Sequence, residues 1–429
     1  MPYRSSVSRR SLLRGGAALP FALLGGHSYA HAQGTPPSEA SDGVTPDPDV
    51  SLVPAINTFA LDLYDELQLD GTGNLIFSPF SVSQALGITY AGAAGETASQ
   101  MADALGFNLP PTELNNAYAL LNADLVARGS ASEEGALRVA NALWGERTYP
   151  FSSAYSNELE RAYGAGLHDT DFAGDPEGAR EDINTWVAEQ TEERITDIVP
   201  PDAITPMTRL VIANAIYFFG PWRHRFTVSS TVDDVFHLAD GAETTVPFMV
   251  QQETFAYASG DGWQAIDLPY EQDGITMTIL LPDEGRFTDV EESLGAGTID
   301  DVVSGLDWTE VRLHLPRFEF EFATSVADAL MNLGVTDAFD ANRADFSGMV
   351  DGVPAEPLSI GDVLHKAFIS IDEEGTEAAA ATAVIGEVSA APPSDEPIEL
   401  RIDRPFIFTI RDTVTGSMIF LGRVVDPSA

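Results

Sequence analysis

Residues 365–384 read HKAFISIDEEGTEAAAATAV: a strand-like run, a charged turn, and then a tract of very small side chains. Alanine is the best helix former, so AAAATA taken alone suits a short helix or a slack linker. A two-residue period argues for a strand instead. Thr376, Ala378, Ala380, Thr382 and Val384 fall on one face of an extended chain, with Glu377 and Glu387 on the other. One face can then be buried without burying a charge. Small residues on both faces would let the segment slide between two existing strands with little steric resistance, at the cost of weak packing where it starts. APPSDEP at residues 391–397 follows, a proline-bearing stretch that cannot continue a central strand.

This segment resembles the hinge of the reactive-centre loop of a serpin, here Glu373, Glu374, Gly375, Thr376, Glu377, Ala378, Ala379, Ala380 and Ala381. Further blocks in the same order resemble the family: NLIFSPFS at 74–81, VIANAIYFFGPWRHRF at 211–226, TVDDVFHLADGAETTVPFM at 231–249 and DRPFIFTIRDTVTGSMIFLGRVV at 403–425. Together they are far more specific than any one motif, and the resemblance runs from about residue 53 to the C-terminus.

The resemblance implies an α+β serpin fold with three β-sheets, about nine helices and an exposed loop at about 373–397. It implies a polar cluster called the shutter, at Ser78, Ser81, Asn214 and His365, and a breach residue, Trp222. By themselves a lone histidine beside a strand and a tryptophan in a turn are ordinary core residues. The usual loop spacing, counted from Glu373, places the reactive bond at Ser389–Ala390, with Val388–Ser389 as the runner-up and Glu387–Val388 a more distant third. The implied function is irreversible, suicide-substrate inhibition of a serine protease through a covalent 1:1 complex, as in a prokaryotic, exported, inhibitory member of the family. The small residues around the bond suit an elastase-like or subtilisin-like target, and no Arg or Lys lies between Lys366 and Arg401 for a trypsin-like one. The competing reading is a non-inhibitory carrier or folding helper. Non-inhibitory members of the family tend to carry proline, charged or bulky residues where this chain has Ala378, Ala379, Ala380 and Ala381, with Gly375 and Thr376 before them, so the resemblance implies an inhibitor. The implied state is a monomer, with loop-to-sheet polymerisation as the family's hazard.

Composition agrees. INTFALDLYDEL and ALLNADL show helical spacing, whereas VIANAIYFF and ITMTILLP are strand-like, and no proline- and glycine-rich linker divides the chain, so one domain over 53–429 is expected. Ser8-Arg9-Arg10-Ser11-Leu12-Leu13, a weakly apolar run and Ala30-His31-Ala32 resemble a twin-arginine export signal over 1–32, which places the mature protein in the cell-envelope or extracellular space. Residues 33–52 are expected to be a disordered acidic linker.

A formal net charge of −44 opposes nucleic-acid binding and disfavours an anionic cofactor such as heparin. Self-repulsion at that charge suggests adaptation to saline surroundings. Lys366, in the HKAF motif, is the only lysine. The chain has no cysteine, which excludes disulfides, thiol catalysis and thiolate zinc sites, and it carries no H-E-x-x-H, G-x-S-x-G or phosphate-loop motif. An enzyme, a metal site, a cofactor and membrane insertion are therefore not expected.

Overall fold

The computed structural model describes residues 48–69, 71–131, 135–163, 166–352, 357–376 and 396–429. Among them are nine α-helices and the strands β1 (Leu75–Phe77), β2 (Ala136–Glu146), β3 (Leu167–Thr170), β4 (Leu210–Pro221), β5 (Val232–His237), β6 (Glu243–Gly260), β7 (Trp263–Pro269), β8 (Ile275–Pro282), β9 (Asp307–Pro316), β10 (Phe318–Ser325), β11 (Asp362–Ile371), β12 (Gly375–Thr376), β13 (Ile398–Arg401), β14 (Phe406–Asp412) and β15 (Met418–Val424).

The first helix, α1 (Pro48–Leu69), begins inside the stretch expected to be an acidic linker, which corrects that boundary. Leu52 and Val53 are buried, and Ile56, Phe59, Ala60, Leu63, Tyr64 and Leu67 continue the buried stripe at helical spacing. Tertiary burial of that stripe outweighs the acidic composition just ahead of it. The second helix, α2 (Pro79–Tyr90), starts with proline at its first position, and the Ser78 side chain accepts a hydrogen bond from the Ser81 N–H as its cap.

Six strands form the central sheet in the order β10-β11-β12-β4-β2-β3. The other nine form one network, β1-β15-β14-β8-β7-β6-β9-β13 with β5 beside β6. In that network β6 is a seam: residues 248–257 pair with β9 and 256–260 with β7, so two sheets share it and the fold has three.

The central sheet is covered on both faces, which explains the nearly unbroken apolar run of β4. Leu210, Ile212, Ile216 and Phe218 point into the main core, whereas Val211, Ala213 and Ala215 meet a second cluster, which includes Ile183 and Val187 of the helix Pro176–Gln190. Asn214 lies on the main-core face, so a polar group sits at the centre of the sheet and needs partners. No helix among the described residues is long and apolar enough to cross a membrane.

Candidate functional site

β11 and β4 pair in parallel only over 362–367 and 211–216. Above that stretch the chain leaves β11, turns through Asp372–Glu374 and returns as β12, which is antiparallel to both neighbours: Thr376 stands opposite Gly220 on one side and Ile371 on the other. The sheet is thus a fork, closed below and holding one short wedge at the top. Two strands flanking a third must stand about 9.6 Å apart rather than about 4.8 Å, so opening has begun at this end.

Gly375 is required by the wedge: a Cβ there would run into the Gly220 carbonyl oxygen and sit 2.6 Å from the Pro221 Cα. The turn is fastened through its backbone. Trp222 N–H donates to the Glu374 carbonyl at 2.7 Å, Phe226 N–H to the Glu373 carbonyl at 2.9 Å, and Trp222 Nε1–H to the Asp372 carbonyl at 3.0 Å. The Asp372 carboxylate accepts from the Glu374 and Gly375 N–H groups, yet burial still pushes it above the usual carboxylate range.

Two carboxylates of the turn are held by cations from other elements. Glu374 pairs with Arg225 at 2.7 Å. Glu373 is buried and accepts from both Arg317 Nη2 and the Thr231 hydroxyl at one oxygen. Burial alone would raise the Glu373 carboxyl; the Arg317 and Thr231 hydrogen bonds hold it below the ordinary glutamate value. The indole of Trp222 stacks on Tyr270 with centroids 4.6 Å apart and planes 12° from parallel, and the Tyr270 hydroxyl meets the Thr376 hydroxyl at 2.7 Å. Trp222 is therefore both a floor and a double donor for the turn.

Lower down, the four residues expected as a polar cluster are brought together. His365 Nε2 accepts the Ser78 backbone N–H at 3.1 Å, so the proton of the neutral ring is on Nδ1, which donates to Asn214 Oδ1. Asn214 Nδ2 donates to Ser81 Oγ at 2.6 Å and to Asn141 Oδ1, and Asn141 passes the chain on to Gln84 Oε1 at 2.7 Å. These groups tie β11, β4 and β2 to α2. Burial pushes the His365 imidazole down to about 3, which keeps it neutral and preserves the tautomer that the network needs. Lys366, the next residue, pairs with Glu321 of β10 at 2.8 Å.

Sequence reasoning missed Asn141, Gln84, Tyr270, Thr231, Arg225 and Arg317. The polar Asn141 inside the strand-like LRVANALW was a usable signal, because a buried strand admits such a residue only with a partner. The hinge residues Glu373, Glu374, Gly375 and Thr376 are in the fork; Glu377, Ala378, Ala379, Ala380 and Ala381, and the expected bond residues Glu387, Val388, Ser389 and Ala390, lie outside the described residues. Among the described residues no group of three or more His, Asp or Glu could hold a metal ion.

The site is a mixed sheet whose two middle strands part around β12, with a buried polar chain below the parting. The family described as Serpin (serine protease inhibitor) matches residues 54–427. An uncharacterized serpin-like protein of Thermococcus kodakarensis is 42% identical over 383 residues, 88% of this chain and 86% of that protein. The leukocyte elastase inhibitor of Homo sapiens is 37% identical over 383 residues, 86% of this chain and 97% of that protein. Among solved structures, the thermophilic serpin tengpin in its native state has a TM-score of 0.78 at 30% identity, covering 87% of this chain and 93% of that one. Thyroxine-binding globulin in complex with thyroxine has a TM-score of 0.78 at 27% identity, covering 89% and 99%. The chain belongs to the serpin family.

Proposed function

We propose that this serpin is an exported, irreversible suicide-substrate inhibitor of elastase-like or subtilisin-like serine proteases. The observation that supports it most is the fork: β12 occupies the first two places of a strand that has room to continue only by parting β4 from β11. The protease's serine Oγ attacks the Ser389 carbonyl carbon, the bond to the Ala390 nitrogen breaks, and that amine leaves with the proton taken up by the protease's base. The acyl ester now joins the protease to the freed loop.

Continuing the register of β12 carries residues 377–386 alongside β4 to Leu210, and sets Thr382 opposite both Asn214 and His365. Insertion therefore has to break the Asn214–His365 hydrogen bond, and Thr382 brings a hydroxyl to the same level. A strand of about fourteen residues spans roughly 45 Å, enough to drag the attached protease across much of the molecule. Misplacement of about 1 Å costs on the order of a hundredfold in rate, so deacylation stalls. Residues 1–32 serve as a twin-arginine signal in this reading, and the mature chain works outside the cytoplasm.

The alternative, a non-inhibitory carrier, takes its support from the likeness to thyroxine-binding globulin. Incubation of the mature chain with elastase, subtilisin and trypsin, in low and high salt, separates the two. Inhibition gives a denaturant-resistant complex and a released peptide beginning at Ala390. Thr376→Arg and Ala380→Pro then give cleavage without complex. Clean cleavage of the unaltered protein under every condition, or full inhibition by both variants, refutes the proposal.

A further inference from the structure

A helix lies across the place where the central sheet would open. Ala213 of β4 stands opposite Leu364 of β11, and both belong to the second core cluster with Ile183 and Val187 of the helix Pro176–Gln190. A strand entering between β4 and β11 moves the two strands from about 4.8 Å to about 9.6 Å apart. The helix cannot keep its packing on both, so it has to shift as the sheet opens.

The chain leaves that helix through an unusual turn. The Thr191 N–H and hydroxyl both donate to the Val187 carbonyl, at 3.0 and 2.8 Å, and the Glu193 N–H donates to the Ala188 carbonyl at 2.8 Å. A helix that ends in this way places a left-handed residue after its cap, and glycine usually fills that position. Here Glu192 fills it, with φ at 54°, and Glu193 repeats the left-handed conformation at 63°. A β-carbon crowds the following carbonyl oxygen there, so each glutamate raises the energy of the folded chain.

The side chains do not account for this choice. Both glutamates are exposed, and the Glu192 pair with Arg138 of β2, at 3.3 Å between two exposed groups, is worth little. What fixes the turn is the segment after it. The Arg194 N–H donates to the Thr191 carbonyl at 3.0 Å and the Ile195 N–H to the Thr191 hydroxyl at 3.2 Å. Ile195 and Val199 are buried in the same cluster, and the Asn184 side chain of the helix bonds the Val199 backbone in both directions, at 3.1 and 2.9 Å. Strain of this kind persists only where its surroundings over-determine it, and these surroundings are the ones an opening sheet disturbs.

We propose that the Glu192–Glu193 turn is a strained release that speeds the entry of a strand into the central sheet. When the helix shifts, the bonds that fix the turn loosen, and both residues leave the left-handed conformation. The proposal rests on the inhibitory reading above, in which the sheet has to open before the acyl ester is hydrolysed. The turn then helps to decide whether a cleaved chain traps its protease or is let go as a product. Asp202 supplies an internal comparison: it too is left-handed, with φ at 64°, but it is exposed and lies beyond the segment bonded to the helix.

The test uses the mature chain, a subtilisin-like protease, and a synthetic peptide with the sequence of residues 377–386, EAAAATAVIG, whose annealing to the sheet is followed without any protease. Glu192→Gly combined with Glu193→Gly is expected to raise the melting temperature by a few degrees, to slow peptide annealing about tenfold, and to raise severalfold the amount of inhibitor consumed per protease trapped. Asparagine at both positions, which tolerates the left-handed region better than glutamate, is expected to fall between the two. Asp202→Gly, which relieves the same kind of strain away from the helix, is expected to leave annealing within about twofold. Annealing by the double glycine variant within about twofold of the unaltered protein overturns the proposal. So does equal slowing by Asp202→Gly, since overall stability is then the cause. An unaltered chain that takes up no peptide overturns it whatever the protease does. If only the inhibitory reading fails, the protease cleaves the chain without a stable complex, while the peptide still anneals and the double glycine variant still slows it.

Discussion

Replacing Arg317 by alanine leaves Glu373 with a buried carboxylate at the turn that starts β12. The Glu373 side chain is 4% exposed, so its charge has no solvent to fall back on, and the Thr231 hydroxyl is then its one remaining side-chain donor. Stripping one partner from a fully buried pair costs about 3–5 kcal/mol, but the Arg317 side chain is 40% exposed and its contribution is screened. About 2 kcal/mol is a fair figure, or about thirtyfold in rate if the transition state has already released the turn. The assay is loss of native tryptophan fluorescence in fixed urea, with Trp222 as a local reporter. The pH dependence follows from the direction of the shift. Arg317 and Thr231 hold the folded Glu373 carboxyl below its ordinary value of 4.5, so their stabilisation is fully present above that pH and is lost as pH falls through the folded value. The gap between the two proteins should be widest near pH 7 and narrow as pH falls below the ordinary glutamate value toward the lower folded one. Glu373→Gln in the Arg317→Ala background should recover part of the loss at pH 7, because no unpaired charge remains. Equal unfolding rates at pH 7, or a gap that widens on acidification, would refute this account of the turn.

Two other outcomes follow. Unfolded His365 takes a proton near its ordinary value of 6.5, whereas the folded ring refuses one until about 3, so acid should cost about 1.4 kcal/mol per pH unit below 6.5 through this group. His365→Asn should be less stable at pH 7 yet lose about 2 kcal/mol less on going to pH 5, measured by urea midpoints; equal acid losses would count against the buried neutral imidazole. The net charge of −44 should make the melting temperature rise by a few degrees between low and molar salt, and a flat or falling curve would remove the case for saline adaptation.

Much of the site was legible because its parts are local. Glu373 to Thr376, the Ser78 cap before Pro79, and Trp222 at the end of a strand each announce themselves within a few residues, and a run of ordered blocks identified the family. The pairing of Asn141 with Gln84 was not legible, since a polar residue in an apolar strand signals that it needs a partner but not which one. The hydrogen bond between them crosses from a helix to a strand, and Arg317 reaches Glu373 from the strand-to-strand junction before β10. The start of α1 was misplaced because the acidic composition before Leu52 reads as unfolded until the core that buries Leu52 is in place.

The order of residues determined the local conformations: a helix that starts at Pro79 after the Ser78 cap, and a glycine where β12 meets Gly220. Those follow from steric and hydration preferences that act over a few bonds. Tertiary structure alone decided that β11 and β4 part above Ile216, that burial holds the His365 imidazole neutral, and that Asn141 and Gln84 meet beside it. Burial, pairing across sheets and the electrostatics of a closed interior arise only when distant segments meet.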